Sequence, residues 1–219
     1  MSLKLYAHPF SSYSQKVLIA LYENNTPFEF QQINHDDPKI LTELEALWPF
    51  KRFPVLVDGD RALIESTVIL EYLDQHYPGK TRLIPADADA ALEARFMDRF
   101  FDNDIMAPAQ KFVADALRPA DKRDPYGVEQ AKRQLDIAYA WLDSKLVGRE
   151  WAIGAQFTIA DCAASPSLFY ADWVHRIPEK FANVIAYRKR LLARPSFARA
   201  VDEARYFRPF FPLGAPDRD

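Results

Sequence analysis

Residues 3–21, LKLYAHPFSSYSQKVLIAL, decide the fold that we predict for the first part of the chain. Apolar and polar residues alternate from Leu3 to Tyr6, which is typical of a strand, and HPFSS then interrupts the alternation. From Val17 to Leu21 the apolar residues recur at helical spacing. A second apolar run, FEFQQI at 28–33, predicts another strand. A strand, a helix and a strand in this order predict two parallel strands joined by a right-handed crossover.

The chain continues with a helix, a hairpin and a further helix. Residues 36–48 form a weaker helical stretch, and FPVLVDGDRALIE (53–65) contains two short apolar runs around the turn pair Asp58-Gly59. Ser66 can cap the helix that follows, and Pro78-Gly79 ends it. The apolar stripe predicted for that helix is Val68, Ile69, Tyr72 and Leu73. The order βαβαββα is the thioredoxin-like arrangement, so we predict an α/β N-terminal domain.

From Ala86 onward the patterns are helical only, with Pro and Gly between the segments. The predicted helices are 88–117, 125–146, 158–175, 180–193 and 196–204. They predict an all-α C-terminal helical bundle. We therefore divide the chain into an N-terminal domain at 1–78, a linker at 79–88 and a C-terminal domain at 89–219.

Composition narrows the classes of function. The formal net charge is −3, and the Lys and Arg residues are scattered, which argues against nucleic-acid or membrane-surface binding. The one cysteine, Cys162, excludes an intrachain disulfide and fits a reducing compartment. The N-terminus carries no apolar export segment, and no stretch is apolar for long enough to cross a bilayer. We expect a cytoplasmic protein.

The first candidate site is HPFSSYSQKV, residues 8–17. In the glutaredoxin pattern C-P-Y-C-x-K-V, the first cysteine lies at a helix N-terminus, where the helix dipole and free N–H groups lower a thiol pKa. Ser11 and Ser14 occupy the two cysteine positions here. Such an N-terminus could stabilise the thiolate of a bound substrate, with the Ser11 hydroxyl as donor. The alternative is that Ser11 or Ser12 only caps the helix.

Two further pairs carry candidate chemistry. The bond between Phe53 and Pro54 is predicted to be cis, which would leave a strand edge able to pair with an extended peptide. Alternatively, a trans proline only starts the strand. Glu65 and Ser66, at a predicted helix N-terminus, match the ammonium and carboxylate of an α-amino acid head group. Their alternative is a solvated glutamate before a capping serine.

These three pieces, SSYSQKVLIAL, FPVLVDG and ESTVILEYL, together with GAQFTIADCAASPSLF (154–169), resemble the glutathione S-transferase superfamily in order and spacing. The Ser11-Ser12 pair resembles the zeta class, which includes maleylacetoacetate isomerases. The chain departs from that class motif at Tyr13, Gln15, Lys16 and Leu18. Thr158 to Asp161 matches the capping box of the family, which is a folding element, and Cys162 beside it is expected to be a buried core thiol.

The resemblance implies an enzyme that activates the glutathione thiol for attack on a small hydrophobic electrophile, by conjugation or glutathione-dependent isomerisation. It also implies glutathione as a co-substrate and a homodimer. The alternative is a glutathione-binding or protein-interaction module without turnover. The four histidines show no metal-ligand spacing, so we predict no metal site.

The resemblance assigns roles to individual residues. Ser11 would activate the sulfur, the Phe53 backbone would pair with the cysteinyl unit, and Glu65 with Ser66 would hold the γ-glutamyl head. Lys39 and Lys51 would take the glycyl carboxylate, although either could be a solvated surface charge. The complete predicted glutathione site is Ser11, Ser12, Lys39, Lys51, Phe53, Pro54, Glu65 and Ser66.

The second-substrate pocket is predicted from its place in the family, between the first helix and the first helix of the C-terminal domain. The candidates are Phe10, Tyr13, Phe101 and Met106. Residues at helical spacing are also typical of plain core. For the aromatic run RYFRPFFP (205–212) we favour packing of the tail over a pocket wall.

Overall fold

A computed structural model describes residues 3–34 and 36–219 of the chain, so His35, one of the histidines considered above, lies outside the described residues. The N-terminal part has a four-stranded sheet in the order β2-β1-β3-β4. Its elements are β1 (Leu3–Ala7), α1 (Ser12–Glu23), β2 (Phe28–Gln32), α2 (Pro38–Leu47), β3 (Val55–Asp58), β4 (Arg61–Ile64) and α3 (Ser66–His76). The predicted order βαβαββα is confirmed.

The sheet pairing follows from the connections. β1 pairs with β2 in parallel, as the helical crossover through α1 requires. β3 is antiparallel to both β1 and β4, and a tight turn at Gly59 and Asp60 joins β3 to β4, one residue later than predicted. The carboxyl end of β1 leads directly into the loop before α1. That loop carries the first candidate site.

The C-terminal part is helical throughout the described residues. It contains α4 (Ala88–Phe100), a π-helical turn (Phe101–Met106), α5 (Ala107–Ala116), α6 (Pro125–Lys145), α7 (Ile159–Val174), α8 (Ala182–Leu192), α9 (Pro195–Ala204) and 3₁₀ turns at Ala120–Lys122 and Arg205–Phe210. The segment 77–87 between α3 and α4 contains no helix or strand. One long helix was predicted at 88–117, and the structure interrupts it with the π-helical turn.

One hydrophobic core joins the two parts. Leu5 of β1, Ile19 of α1 and Ala164 of α7 all belong to the same buried cluster. A smaller cluster, including Tyr6 and Ile40, lies between α2 and the other face of the sheet. α1 contacts α3 of the N-terminal part and α7 and α9 of the C-terminal part, so helices from both parts fix its position.

Several local predictions can be compared directly. The Phe53-Pro54 bond is cis, and Cys162 is fully buried, as predicted. The capping box from Thr158 to Asp161 is present. Ser66 is the first residue of α3 and not its cap, because Glu65 occupies the N-cap position without a capping side-chain bond.

The predicted apolar stripe of α3 was wrong at one position. Val68 is half-exposed, and the buried face is instead formed by Ile69, Leu70 and Leu73. In the part of the chain that the structure describes, no helix combines the length and hydropathy needed to cross a bilayer.

Candidate active site

Ser11 lies at the N-terminus of α1, where two cavities meet. Its backbone is extended, with φ −91° and ψ 127°, and its Oγ accepts a hydrogen bond from the Ser14 amide at 3.3 Å. The predicted capping role is therefore present. Accepting that bond uses a lone pair and leaves the hydroxyl hydrogen of Ser11 available to a second acceptor. Ser11 lines both cavities.

The larger cavity is polar, with a volume of about 630 Å³. Seven residues from the two predicted pockets line it: Ser11, Tyr13, Lys51, Phe53, Pro54, Glu65 and Ser66. Two predicted members of the glutathione site do not. Lys39 is 85% exposed on α2, where its ammonium lies 4.0 Å from Glu43, and Ser12 lines the other cavity.

Glu65 and Ser66 bring the N-terminus of α3 to the wall of the polar cavity. Glu65 has φ +71°, an unusual conformation for a residue with a side chain. Such strain is retained only where the surrounding structure fixes it, and it concentrates at ligand sites. The side chain of Ser66 is buried, and the free N–H groups of the first turn of α3 form a site suited to a carboxylate.

Two adjacent basic side chains, Lys51 and Arg52, also line the polar cavity. Lys51 also has a positive φ, +53°, and its ammonium pairs with Glu45 at 2.9 Å on the surface. Arg52 follows it and stacks over Phe50 at 5.7 Å. Sequence reasoning missed Arg52, although it directly precedes the Phe53-Pro54 pair. The wall of the polar cavity therefore offers two kinds of carboxylate site, the basic side chains of Lys51 and Arg52 and the free N–H groups at the start of α3.

A largely buried ionic cluster, formed by Lys16, Thr67, Asp98, Arg99 and Asp102, reaches the wall of the polar cavity. The Lys16 ammonium contacts Asp98 Oδ1 at 2.6 Å, Asp102 Oδ2 at 2.8 Å and Thr67 Oγ1 at 2.9 Å. Arg99 pairs with the same two carboxylates and, like Asp102, lines the cavity. Burial raises the pKa of Asp102, and the nearby Lys16 ammonium opposes this shift.

This cluster joins three helices: Lys16 is on α1, Thr67 is on α3, and the acidic residues are on α4 and the π-helical turn. Sequence analysis missed it. The sequence signal was the position of Lys16 directly before the apolar run from Val17 to Leu21, since a lysine is seldom fully buried without a partner.

The smaller cavity is apolar and has a volume of about 440 Å³. Phe10 and Met106, two of the candidates for the second-substrate pocket, line it. The rest of its wall comes from Ser11, Ser12, Phe53, Ala109, Gln110, Val113, Ala114, Leu117, Tyr170, Val174, Phe210, Phe211 and Pro212. None of these side chains is charged, so the cavity suits a neutral apolar molecule.

Two of the candidates for the second-substrate pocket, Phe101 and Tyr13, do not line the apolar cavity. Phe101 lines neither cavity, because it is fully buried in the core, where its ring packs against Phe100 and Tyr187. Tyr13 lines the polar cavity and not the apolar one. Burial, with a smaller contribution from the charge of Asp102, raises the pKa of Tyr13 to about 12, which keeps the phenol protonated at neutral pH.

The C-terminal aromatic run both packs and lines a pocket. Phe207 stacks edge-on against His8 with ring centres 4.5 Å apart, while Phe210 and Phe211 form one side of the apolar cavity. The interpretation of this run as packing alone was therefore wrong.

Among the described residues, no group of three or more His, Cys, Asp and Glu side chains is placed to hold a metal ion.

Comparison with known proteins identifies related sequences and folds. Residues 5–81 match the model for "Glutathione S-transferase, N-terminal domain", and residues 105–195 match "Glutathione S-transferase, C-terminal domain". Glutathione S-transferase 3 of Zea mays is 31% identical over 214 residues, covering 91% of this chain and 93% of the relative. A stringent starvation protein A homolog of Coxiella burnetii is 26% identical, covering 92% of each chain.

A solved structure gives the same result for the fold. The crystal structure of a glutathione S-transferase from Methylobacillus flagellatus with glutathione bound superposes with a TM-score of 0.83. It is 25% identical in sequence, and the match covers 91% of this chain and 98% of that one.

Proposed function

The chain belongs to the glutathione S-transferase family, and from that premise we propose that it is a glutathione transferase acting on a small apolar electrophile. The polar cavity binds glutathione, and the adjoining cavity binds the electrophile. The observation that carries this proposal is the position of Ser11, which lines both cavities. A sulfur beside Ser11 would lie next to the second substrate, and such proximity lowers the barrier to attack. Conjugation and glutathione-dependent isomerisation could both proceed from that thiolate.

The amino acid head of glutathione fits the N-terminus of α3. The Glu65 carboxylate takes the ammonium of the γ-glutamyl unit, while the Ser66 hydroxyl and the free N–H groups of α3 take its carboxylate. The backbone of Phe53, before Pro54, pairs with the cysteinyl unit. This assignment is supported by the presence of all four residues in the wall of one cavity.

The glycyl carboxylate is assigned to the adjacent basic residues Lys51 and Arg52. Lys51 and Arg52 both line the polar cavity, and either can form a charge-assisted hydrogen bond with a carboxylate. Lys39 is left out of this proposal because it lies away from that wall.

The thiolate is stabilised by the N-terminus of α1 and by the Ser11 hydroxyl. The helix dipole favours a negative charge there, and the hydroxyl hydrogen that capping leaves free can be donated to the sulfur. Ser12 and Tyr13 remain the other candidate donors. Tyr13 lines the polar cavity, as Ser11 does, and its phenol stays protonated at neutral pH. Tyr13 is therefore a better candidate donor than Ser12.

Replacement of Ser11 tests the assignment. Ser11→Ala is expected to raise the pKa of the bound glutathione thiol, measured by ultraviolet thiolate absorbance across pH. Turnover is expected to fall roughly ten- to a hundredfold, because a charge-assisted hydrogen bond contributes about 1.5–3 kcal/mol. If the thiol titration of Ser11→Ala is unchanged, Ser11 is only a helix cap.

A glycine variant separates the two uses of Ser11. Glycine at an N-cap costs only a few tenths of a kcal/mol, but it removes the hydroxyl. Ser11→Gly should therefore lose turnover as Ser11→Ala does while it keeps the unfolding midpoint close to that of wild type. Full turnover in Ser11→Gly would contradict the proposed donor role.

A glutathione-binding module without turnover is the second candidate. The relative from Coxiella burnetii, which covers 92% of this chain, is named for stringent starvation and not for a transfer reaction. The thiol titration and a panel of electrophiles distinguish the two candidates. Glutathione binding that leaves the thiol pKa unchanged and gives no turnover would favour the module.

The family also suggests the setting of the protein. We place the glutathione-binding domain at 1–78, the linker at 79–88 and the helical domain at 89–219, and we assign the protein to the cytoplasm. A homodimer is supported by exposed apolar side chains: Phe50 is 67% exposed, and Leu92 and Phe96, four residues apart on α4, are 66% and 53% exposed. Sedimentation of wild type and Leu92→Arg tests the dimer.

A further inference from the structure

The loop that carries Ser11 is held through its backbone carbonyl groups. The Ser11 amide donates to His8 O at 3.0 Å, which closes the turn between β1 and α1. The next two carbonyls accept bonds from side chains: Pro9 O from Gln15 Nε2 at 3.0 Å, and Phe10 O from the Tyr170 hydroxyl at 3.2 Å. The residues immediately before Ser11 are thus fixed by Gln15 and Tyr170.

Gln15 and Tyr170 form one connected network. Gln15 is fully buried, and its Nε2 also donates to the Tyr170 hydroxyl at 3.1 Å. Both hydrogens of the amide nitrogen are therefore used. The Tyr170 hydroxyl accepts one of them and donates its own hydrogen to Phe10. A carbonyl oxygen can only accept, so Pro9 O determines which end of the Gln15 amide faces the loop.

Tyr170 brings α7 to this loop. Its ring meets that of Phe10 edge-on, with centres 5.5 Å apart, and forms part of the apolar cavity. Burial raises the pKa of Tyr170 well above the neutral range, so its hydroxyl remains a donor. The tyrosine therefore contacts both the loop before Ser11 and the cavity assigned to the second substrate.

We infer that Gln15 and Tyr170 are positioning residues for the transfer reaction: by holding the carbonyls of Pro9 and Phe10, they keep the Ser11 hydroxyl directed at the sulfur. This inference rests on the proposed function of Ser11. A hydrogen bond to a thiolate depends on the position of its donor, and small displacements of a reacting group lower rates. The alternative is that the network contributes only to stability.

Tyr170→Phe tests the inference because it removes one oxygen and keeps the ring in the cavity wall. The expected result is a raised pKa of the bound glutathione thiol and a kcat reduced roughly three- to tenfold. The KM for glutathione should stay within about twofold, since the two ends of glutathione bind elsewhere. Gln15→Leu should reproduce these effects, and the double variant should be little worse than either single one, because the two side chains act as a unit.

Tyr139→Phe is the matched control. Tyr139 is also buried, and its hydroxyl donates to the backbone carbonyl of His175 at 3.1 Å, away from the loop. This variant loses a bond of the same kind and should lose similar stability. Its thiol pKa and kcat should remain those of wild type.

The outcomes separate the inference from the function on which it depends. If Tyr170→Phe matches Tyr139→Phe in thiol pKa and kcat, the network is only structural and the inference is overturned alone. If wild type itself leaves the thiol of bound glutathione at its free pKa, the proposed function and the inference fail together. A raised thiol pKa in Tyr170→Phe, absent from Tyr139→Phe, supports the inference.

Discussion

Replacement of Asp161 by alanine should destabilise the protein far more than loss of a typical helix cap. Asp161 is fully buried at the start of α7. Its carboxylate accepts hydrogen bonds from the amides of Thr158 and Ala152, each at 2.8 Å, and from the hydroxyl of Tyr187 at 2.6 Å. The Thr158 hydroxyl lies at 3.2 Å. One side chain therefore connects α7, the preceding loop and α8.

The size of the destabilisation follows from the hydrogen-bond donors that alanine at position 161 would leave without an acceptor. A capping box alone predicts a loss of about 0.5–2 kcal/mol. Here four buried donors, two amides and two hydroxyls, lose their acceptor, and each unsatisfied donor costs about 1–3 kcal/mol. Part of this loss is offset because the burial of a charge is removed, a cost visible in the pKa of Asp161, which burial raises to about 6. We expect a net destabilisation of about 3–5 kcal/mol.

The assay is urea unfolding of wild type, Asp161→Ala and Asp124→Ala, with glutathione affinity measured in parallel. Asp124 also caps a helix, accepting from the Gly127 amide at 2.8 Å, but it is exposed, so its variant should lose only about 1 kcal/mol. Neither variant should change the affinity for glutathione, since both residues lie outside the two cavities. An equal shift of the two unfolding midpoints would refute the reasoning, as would weaker glutathione binding with an unchanged midpoint.

Four further predictions follow from named contacts. The pKa of Asp161 in the folded protein, about 6, lies above its value in the unfolded chain. The stabilisation that this difference in pKa gives is therefore complete at low pH and is lost as the pH rises through 6. The difference in unfolding free energy between wild type and Asp161→Ala should shrink from about pH 4 to about pH 7. Ser66→Ala should weaken glutathione binding roughly tenfold, with little change in turnover at saturation, because its proposed partner is remote from the sulfur; calorimetry and steady-state kinetics check this. Lys16→Met should cost about 3–5 kcal/mol in urea unfolding, because it leaves two buried carboxylates without their lysine. Ser11→Cys should create a low-pKa thiolate that attacks oxidised glutathione, forming a protein mixed disulfide and releasing reduced glutathione, which intact-mass measurement detects.

The sequence predicted the parts of the site that lie close together along the chain. The βα junction at Ser11, the Phe53-Pro54 pair and the start of α3 at Glu65 each have a local pattern, since turns, caps and prolines act through neighbouring residues. The parallel pairing of β1 with β2 also follows from the helical crossover, and the pairing of β3 with β4 follows from their short turn. These features bring three loops to one edge of the sheet, and their residues line the polar cavity.

The remaining parts of the site depend on packing between residues that are far apart in the sequence. Arg52 and Lys39 are both basic residues without a distinguishing local pattern in the sequence. Only the path of the chain before β3 places Arg52 at the cavity. Phe101 and Met106 are five residues apart on one segment, yet Phe101 is buried in the core and Met106 lines the apolar cavity. At 3.6 residues per turn, two side chains five positions apart already point about 140° away from each other, so a helical pattern does not place both of them in one pocket. The tail residue Phe211 reaches the same wall from the far end of the chain.

Capping of α1 and activation of a thiol are compatible uses of Ser11. The cap uses a lone pair of the oxygen, which accepts from the Ser14 amide, while activation would use the hydrogen that the hydroxyl still carries. The capped geometry also restricts the hydroxyl to the helix N-terminus, where the helix dipole favours the same negative charge. If the residue only capped the helix, aspartate could replace it without loss of stability. An aspartate carboxylate at this position would, however, repel a thiolate. A hydroxyl side chain such as that of Ser11 caps the helix and still offers a hydrogen to the sulfur.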